Sequence, residues 1–114
     1  DDVNKFTQRE LRRGNSYHLI ALDPPTFGRG SSGQVWKIED DLPKLLGVCN
    51  RLREPGRPFT VILSCHSPGF SCLVLERLVE EACGRGGRFE SFEMTIPEST
   101  GRELPAGVSV RYTV

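Results

Sequence analysis

Several absences narrow this sequence before any motif is considered. No stretch approaches the roughly 20 consecutive apolar residues that a membrane-spanning helix requires, and no charged-then-apolar leader precedes the domain. The expectation is a soluble, cytoplasmic protein. Neither sign of charge is in excess, since Lys plus Arg and Asp plus Glu number 15 each, so the chain as a whole offers no basic field to draw in a nucleic acid. The cysteines Cys49, Cys65, Cys72 and Cys83 include no C-x-x-C pair, and only two histidines are available to complete a metal site. No metal is therefore expected. Three of the thiols fall on helical apolar faces or helix ends, as reduced, buried cysteines of a cytosolic protein do, and Cys65 is the exception. At 114 residues the chain makes one domain, residues 1–114, with a modest core.

What is present centres on Tyr17 to Gly33, YHLIALDPPTFGRGSSG. Leu19, Ile20, Ala21 and Leu22 run without alternation, which predicts a strand over Tyr17 to Leu22 buried on both faces. It stops at Asp23, because neither Pro24 nor Pro25 can donate a ladder hydrogen bond. In open α/β sheets the carboxyl ends of strands are where ligands bind. The two prolines form a stiff arm that fixes their carbonyls and aims Thr26 and Phe27 outward, so that Phe27 can stack on a planar ligand beside a carboxylate. Gly28, Gly30 and Gly33 spell G-x-G-x-x-G, but two prolines separate them from the strand and the next helix lies several residues on. A mobile glycine-serine loop able to close over a substrate is preferred to a phosphate-binding turn.

Before this stretch, Val3, Phe6 and Leu11 share one face of a helix ended by Gly14 and Asn15, and the first two residues show no capping context. A chain starting this close to a helix suggests a boundary just after a strand of a missing half. After it, Asp40 and Asp41 offer N-caps with Pro43 in the first turn, and Leu42, Leu45, Leu46, Cys49 and Leu52 repeat at helical spacing. Glu54-Pro55-Gly56 ends that helix, and a second strand over Phe59 to Ser64 makes a right-handed parallel unit. This strand carries Cys65, His66 and Ser67 to the same edge as Asp23. His66 points to the opposite face from Cys65 and reads as structural. A helix over Ser71 to Cys83, a strand over Arg88 to Thr95, an irregular turn holding Pro97, Gly101 and Pro105, and a strand over Val108 to Val114 complete an antiparallel ending. Trp36 reads as packed beneath a loop.

Asp23-Pro24-Pro25 followed by an aromatic resembles the catalytic loop of class I S-adenosylmethionine-dependent methyltransferases that act on nucleic-acid bases. With GQVWKIEDDLPKLL and VILSCHSPGFS, the chain is similar to the C-terminal half of the family containing the bacterial ribosomal RNA large-subunit cytosine-5 methyltransferases. The resemblance implies a Rossmann-like α/β half-domain: a mixed sheet of about four strands, a parallel pair plus a C-terminal antiparallel hairpin, with two to three helices. It implies Cys65 as the nucleophile that adds to cytosine C6 and Asp23 as the group that stabilises the adduct, with Pro24, Pro25 and Phe27 lining the substrate side. Asp2 matches an acidic position that contacts the adenine of the cofactor; equally, it can favour a helix N-terminus through the macrodipole. Each site residue has a plain alternative: Cys65 as a buried strand end, Asp23 as a turn former ahead of proline.

A complete relative carries a glycine-rich turn after its first strand and an acid after its second, and neither is present here. The isolated chain is therefore expected to be inactive, to bind S-adenosylmethionine weakly or not at all, and to meet RNA, ribosomal by the resemblance, only in a complete enzyme. The Tyr17 strand is left at an open sheet edge, where a missing half or a second copy would pair. Two other readings remain open: an exocyclic-amine methyltransferase, which needs Asp23 but no cysteine, and a non-catalytic α/β binding module.

Overall fold

The computed structural model describes residues 2–114, and its elements follow from local chemistry with a few departures. Helix α1 (Val3–Arg13) is started by Asp2, whose carboxylate accepts from the amides of Asn4 and Lys5, and is closed by Gly14 at φ 71°. The capping context missed in the sequence is thus Asp2 itself, a role open to any short acidic side chain ahead of a helix. Strands β1 (Leu19–Leu22), β2 (Phe27–Arg29) and β3 (Val35–Lys37) lead into helix α2 (Ile38–Arg51); β4 (Thr60–Cys65), helix α3 (Cys72–Cys83), β5 (Arg88–Pro97) and β6 (Glu103–Thr113) follow. The main sheet runs β1-β4-β6-β5. Its first pair is parallel and the other two are antiparallel, giving the mixed α/β sheet the sequence implies.

One face of this sheet carries the core. Along β4, Val61, Leu63 and Cys65 are buried while Thr60, Ile62 and Ser64 are only half-buried, the period-2 signature of a strand covered on one side. Ile38, Leu42 and Leu46 of α2 and Leu75 and Val79 of α3 pack over that face with Phe59, Val110 and Tyr112. The Phe89 and Tyr112 rings meet at 4.9 Å, and the Tyr112 hydroxyl donates to the Gly84 carbonyl, which satisfies the one polar atom of a fully buried ring. The other face carries Leu19, Thr60, Ile62, Arg88, Glu90 and Arg111 around a shallow depression.

This one-sided cover corrects the strand predicted to be buried on both faces. β1 is an edge strand paired only with β4, and Leu19 is 50% exposed. It also starts at Leu19, two residues late, because Tyr17 is engaged in an isolated bridge with Arg53. In α1 the apolar face predicted from Val3, Phe6 and Leu11 is not the buried one. Val3 and Phe6 are each 38% exposed, and the buried positions are Thr7 and Glu10. Glu10 is turned inward because Tyr17 and Asn15 donate to its Oε2 at 2.5 and 2.6 Å. Helix α2 begins at Ile38, ahead of Asp40, so neither aspartate is an N-cap; Asp41 instead reaches back to accept from the Lys37 amide at 2.8 Å. Pro43 consequently sits beyond the first turn. The closing hairpin is longer than predicted, since β5 and β6 pair from Arg88–Thr113 out to Pro97–Glu103. Pairing passes Pro105 by means of a bulge, in which Ala106 and Gly107 stand opposite Met94.

Candidate active site

The carboxyl ends of β1 and β4 lie together, and the pleat decides which of their side chains meet. Leu22 pairs with Leu63, so the next residues in register are Asp23 and Ser64. Alternation then sends Asp23, Ser64 and His66 to the open face and Cys65 to the core. His66 Nε2 lies 3.2 Å from Asp23 Oδ1, with side chains 56% and 65% exposed. Cys65 is 1% exposed, packed among Val61, Leu63 and the α3 side chains. The structure therefore brings Asp23 to His66 and does not bring it to Cys65, although all three belong to one edge. The placement of His66 opposite Cys65 was read correctly, yet that is the face on which Asp23 stands.

The arm that follows β1 is fastened through Pro25 and Thr26. Trp36 Nε1 donates to the Pro25 carbonyl at 2.7 Å, the Ile38 amide donates to the Thr26 carbonyl at 3.1 Å, and the Thr26 and Ser67 hydroxyls are 2.6 Å apart. The last contact ties the loop after β1 to the loop after β4, with Ser67 buried. Pro24 and Pro25 are thus the rigid arm foreseen, and Phe27 at its end is half exposed with the Arg29 guanidinium 5.9 Å from its ring centre. The glycine-rich segment, expected as an open loop, belongs to regular structure. It is the turn of an antiparallel hairpin, with Phe27 paired to Lys37 and Arg29 to Val35, closed by the Gly30 amide on the Gln34 carbonyl at 2.8 Å.

Under this hairpin lies a cavity of about 370 Å³ between Asp2 and Val3 at the start of α1, Ala21 to Pro25 at the end of β1, and Gln34 and Trp36. Leu45 of α2 forms part of its apolar wall. Asp2 serves the helix and the cavity together. Its Oδ1 caps α1 and its Oδ2 accepts from Gln34 Nε2 at 2.7 Å, so the hairpin is latched to the helix start. The Gln34 bond first, and then the Lys5 amide, hold the Asp2 carboxyl below the usual carboxylate range. A Cβ on Gly30 would stand 2.2 Å from the side-chain carboxamide of Gln34, so a side chain there would push Gln34 away from Asp2.

Gln34 was not singled out by sequence reasoning, while Ser67 and His66 were brought to this edge without a role at the site, His66 being read as structural. Gln34 and Ser67 leave no local pattern, because their partners Asp2 and Thr26 are 32 and 41 positions away. His66 was legible in principle: once β1 and β4 are set in register, it shares parity with Asp23. Among the described residues no cluster of three or more His, Cys, Asp or Glu could hold a metal ion, and no helix is long and apolar enough to cross a membrane.

No protein-family model matches the chain, and no curated protein matches it. Solved structures do. A SAM-dependent methyltransferase from Agrobacterium tumefaciens is 36% identical over 95% of this chain with a TM-score of 0.82. A provisionally assigned methyltransferase complexed with SAH is 18% identical over 99% of the chain, TM-score 0.69. A provisionally assigned SAM-dependent methyltransferase from Streptococcus mutans is 16% identical over 100%, TM-score 0.69. The fold of this chain is accordingly α/β and methyltransferase-like, with SAM-dependent methyltransferases as its structural neighbours. It spans only a part of each, 36% of the first and 30% of the other two.

Proposed function

We propose that this chain is the catalytic-loop part of a SAM-dependent methyltransferase that modifies a base of RNA, with ribosomal RNA the substrate class suggested by the family it resembles. The observation that carries the reading is Asp23, exposed at a strand end on a fastened Pro24-Pro25 arm and bordering an apolar cavity, in a chain 36% identical to a SAM-dependent methyltransferase. S-adenosylmethionine, when bound, supplies a methyl group activated on a sulfonium. The cavity fits a part of it: Ala21, Leu22, Trp36 and Leu45 offer apolar walls to a purine, and the Asp2 carboxylate supplies an acceptor for an amine. The described residues add no glycine-rich turn after a first strand to hold the methionine portion, so most of the affinity belongs to other parts of a complete domain.

Toward the target base, Asp23 accepts a hydrogen bond from a ring or amino N–H, and Phe27 offers an aromatic face to a base taken out of its stack. Beside Asp23, on the arm fastened by the bond from Trp36 to Pro25, the Pro24 carbonyl is proposed as a second acceptor for the substrate. Methyl transfer to an exocyclic amine needs no more from this chain than these groups. Transfer to cytosine C5 needs a thiolate at C6, and Cys65 lies on the core side of β4, 1% exposed. The geometry thus supports the amine route best. The cytosine-5 route is the second reading, carried by the position of Cys65 at the end of β4, and it requires the strand end to turn its thiol outward.

The deciding experiment supplies the chain with a cofactor-binding half and measures transfer of labelled methyl from SAM to RNA, followed by nucleoside mass spectrometry. An N-methylated product with Cys65→Ala active and Asp23→Asn impaired supports the amine route. A 5-methylcytidine product, trapping on 5-fluorocytosine RNA and an inactive Cys65→Ala variant would establish the cytosine-5 route. No transfer to any base would reject the proposal.

A further inference from the structure

We infer that His66, which lies against the bulge in β6, is a positioning residue for Asp23. The inference rests on the methyltransferase reading for its functional meaning, but its structural content stands on this chain alone. His66 Nε2 approaches Oδ1 of Asp23 at 3.2 Å, which leaves Oδ2 as the oxygen available to a substrate N–H. A carboxylate on an edge strand, followed by two prolines, is held by no backbone ladder beyond Leu22. Without a second group it would sample its rotamers freely in water. Both side chains are more than half exposed, so their contact contributes little to folding. What it does is fix the direction of one oxygen.

His66 is itself constrained from the opposite side. Gly107 adopts φ +98°, and a Cβ built on it would stand 2.5 Å from the Cys65 carbonyl oxygen and 2.8 Å from His66 Nδ1. The β6 backbone therefore presses against the start of the loop after β4, an approach that only glycine permits. Gly107, His66 and Asp23 form a line from the bulge in β6, across the end of β4, to the end of β1. With Nδ1 toward Gly107 and Nε2 toward a carboxylate oxygen, the arrangement calls for a hydrogen on Nε2 that points at Asp23.

Two measurements test this. On the isolated chain, a long-range proton–nitrogen NMR spectrum should show a hydrogen on His66 Nε2, with Asp23→Ala moving the His66 nitrogen shifts and leaving those of His18 in place. An Nδ1–H tautomer, or shifts indifferent to Asp23→Ala, would overturn the inference without touching the proposed function. In the reconstituted enzyme, His66→Ala should lower kcat on the order of tenfold to a hundredfold, the cost of a loosened catalytic group, with the Kd for SAM unchanged. His66→Gln, which can place an N–H near the same point, should recover a substantial part. Equal kcat in wild type and His66→Ala would overturn the positioning role, whereas absence of methyl transfer by the wild type, with tautomer coupling intact, would reject the function and keep the geometry.

Discussion

Cys65 and His66 are consecutive, and the pleat of β4 gives them different chemistry. The thiol enters the core, where a cysteine behaves as a small apolar side chain, and the imidazole meets a carboxylate in water. Burial, reinforced by the nearby Cys83, pushes the Cys49 thiol up to about 11, and burial raises Cys83 as well. A thiol-specific reagent at pH 8 should therefore label Cys72, the one thiol of the four that is not buried, well before Cys49, Cys65 or Cys83. Peptide mass spectrometry after a short exposure reads this directly; rapid labelling of Cys65 in the native protein would show that the strand end opens and would revive the cytosine-5 route. At Gly107 the backbone decides. Alanine there adopts an unfavourable φ and meets the Cys65 carbonyl, so Gly107→Ala should lose at least ~1–3 kcal/mol in urea unfolding. A core truncation such as Leu63→Ala sets the comparison, at about 2–5 kcal/mol.

Among the elements, α1 is held by a polar network where an apolar face was expected. Tyr17 and Asn15, in that order, pull the Glu10 carboxyl below its usual value, and the same Glu10 raises the Tyr17 phenol. A depressed carboxyl stabilises the fold above its unfolded value, 4.5, and that contribution is lost as pH falls through the lower folded value. A raised phenol contributes below its unfolded value, 10.0, and is lost as pH rises beyond it. Thermal melts should show wild type losing stability below pH 4.5, with Glu10→Gln less stable at pH 7 and flatter in acid. A parallel acid profile in the two proteins would remove Glu10 from the account. The β2–β3 hairpin depends on two side chains in the same manner. Trp36→Phe deletes the donor to Pro25 and should lower stability by about 1 kcal/mol, with faster amide exchange confined to the arm and hairpin.

At the scale of the molecule, the sheet is covered on one face and open along β1. Its extents of 50 × 38 × 22 Å describe a flat body, and exposed Leu19 on the edge strand lies beside half-buried Ile62 on the bare face. Such a surface invites another strand or another copy. Sedimentation of the isolated chain over a tenfold concentration range is expected to show reversible association, abolished by a lysine at Leu19. Calorimetry is expected to find SAM binding weaker than micromolar, because on the proposed reading the cavity at Asp2 and Trp36 would meet only a part of the ligand, and the chain spans 36% of the Agrobacterium tumefaciens protein. Micromolar binding would mean that this cavity supplies more of the site than its lining suggests.

The sequence by itself determined the elements that rest on local chemistry: the amphipathic α2 and α3, the β4 strand, the parallel pair, the antiparallel ending, and the stop at Asp23-Pro24-Pro25. Each is written in spacing and in backbone-restricting residues close together in the chain. It also identified the edge on which the site residues lie. It set Cys65 and His66 on opposite faces but not which of the two shares its face with Asp23, because that depends on register between strands some 40 residues apart, as with Leu22 and Leu63. The pairing of Asp23 with His66, the withdrawal of Cys65, the latch from Gln34 to Asp2 and the seat at Gly107 all arise from that register. Burial followed the same rule: an unbroken apolar run in β1 looked doubly covered, and only the assembled sheet, with both large helices on one side, shows that one of its faces meets water.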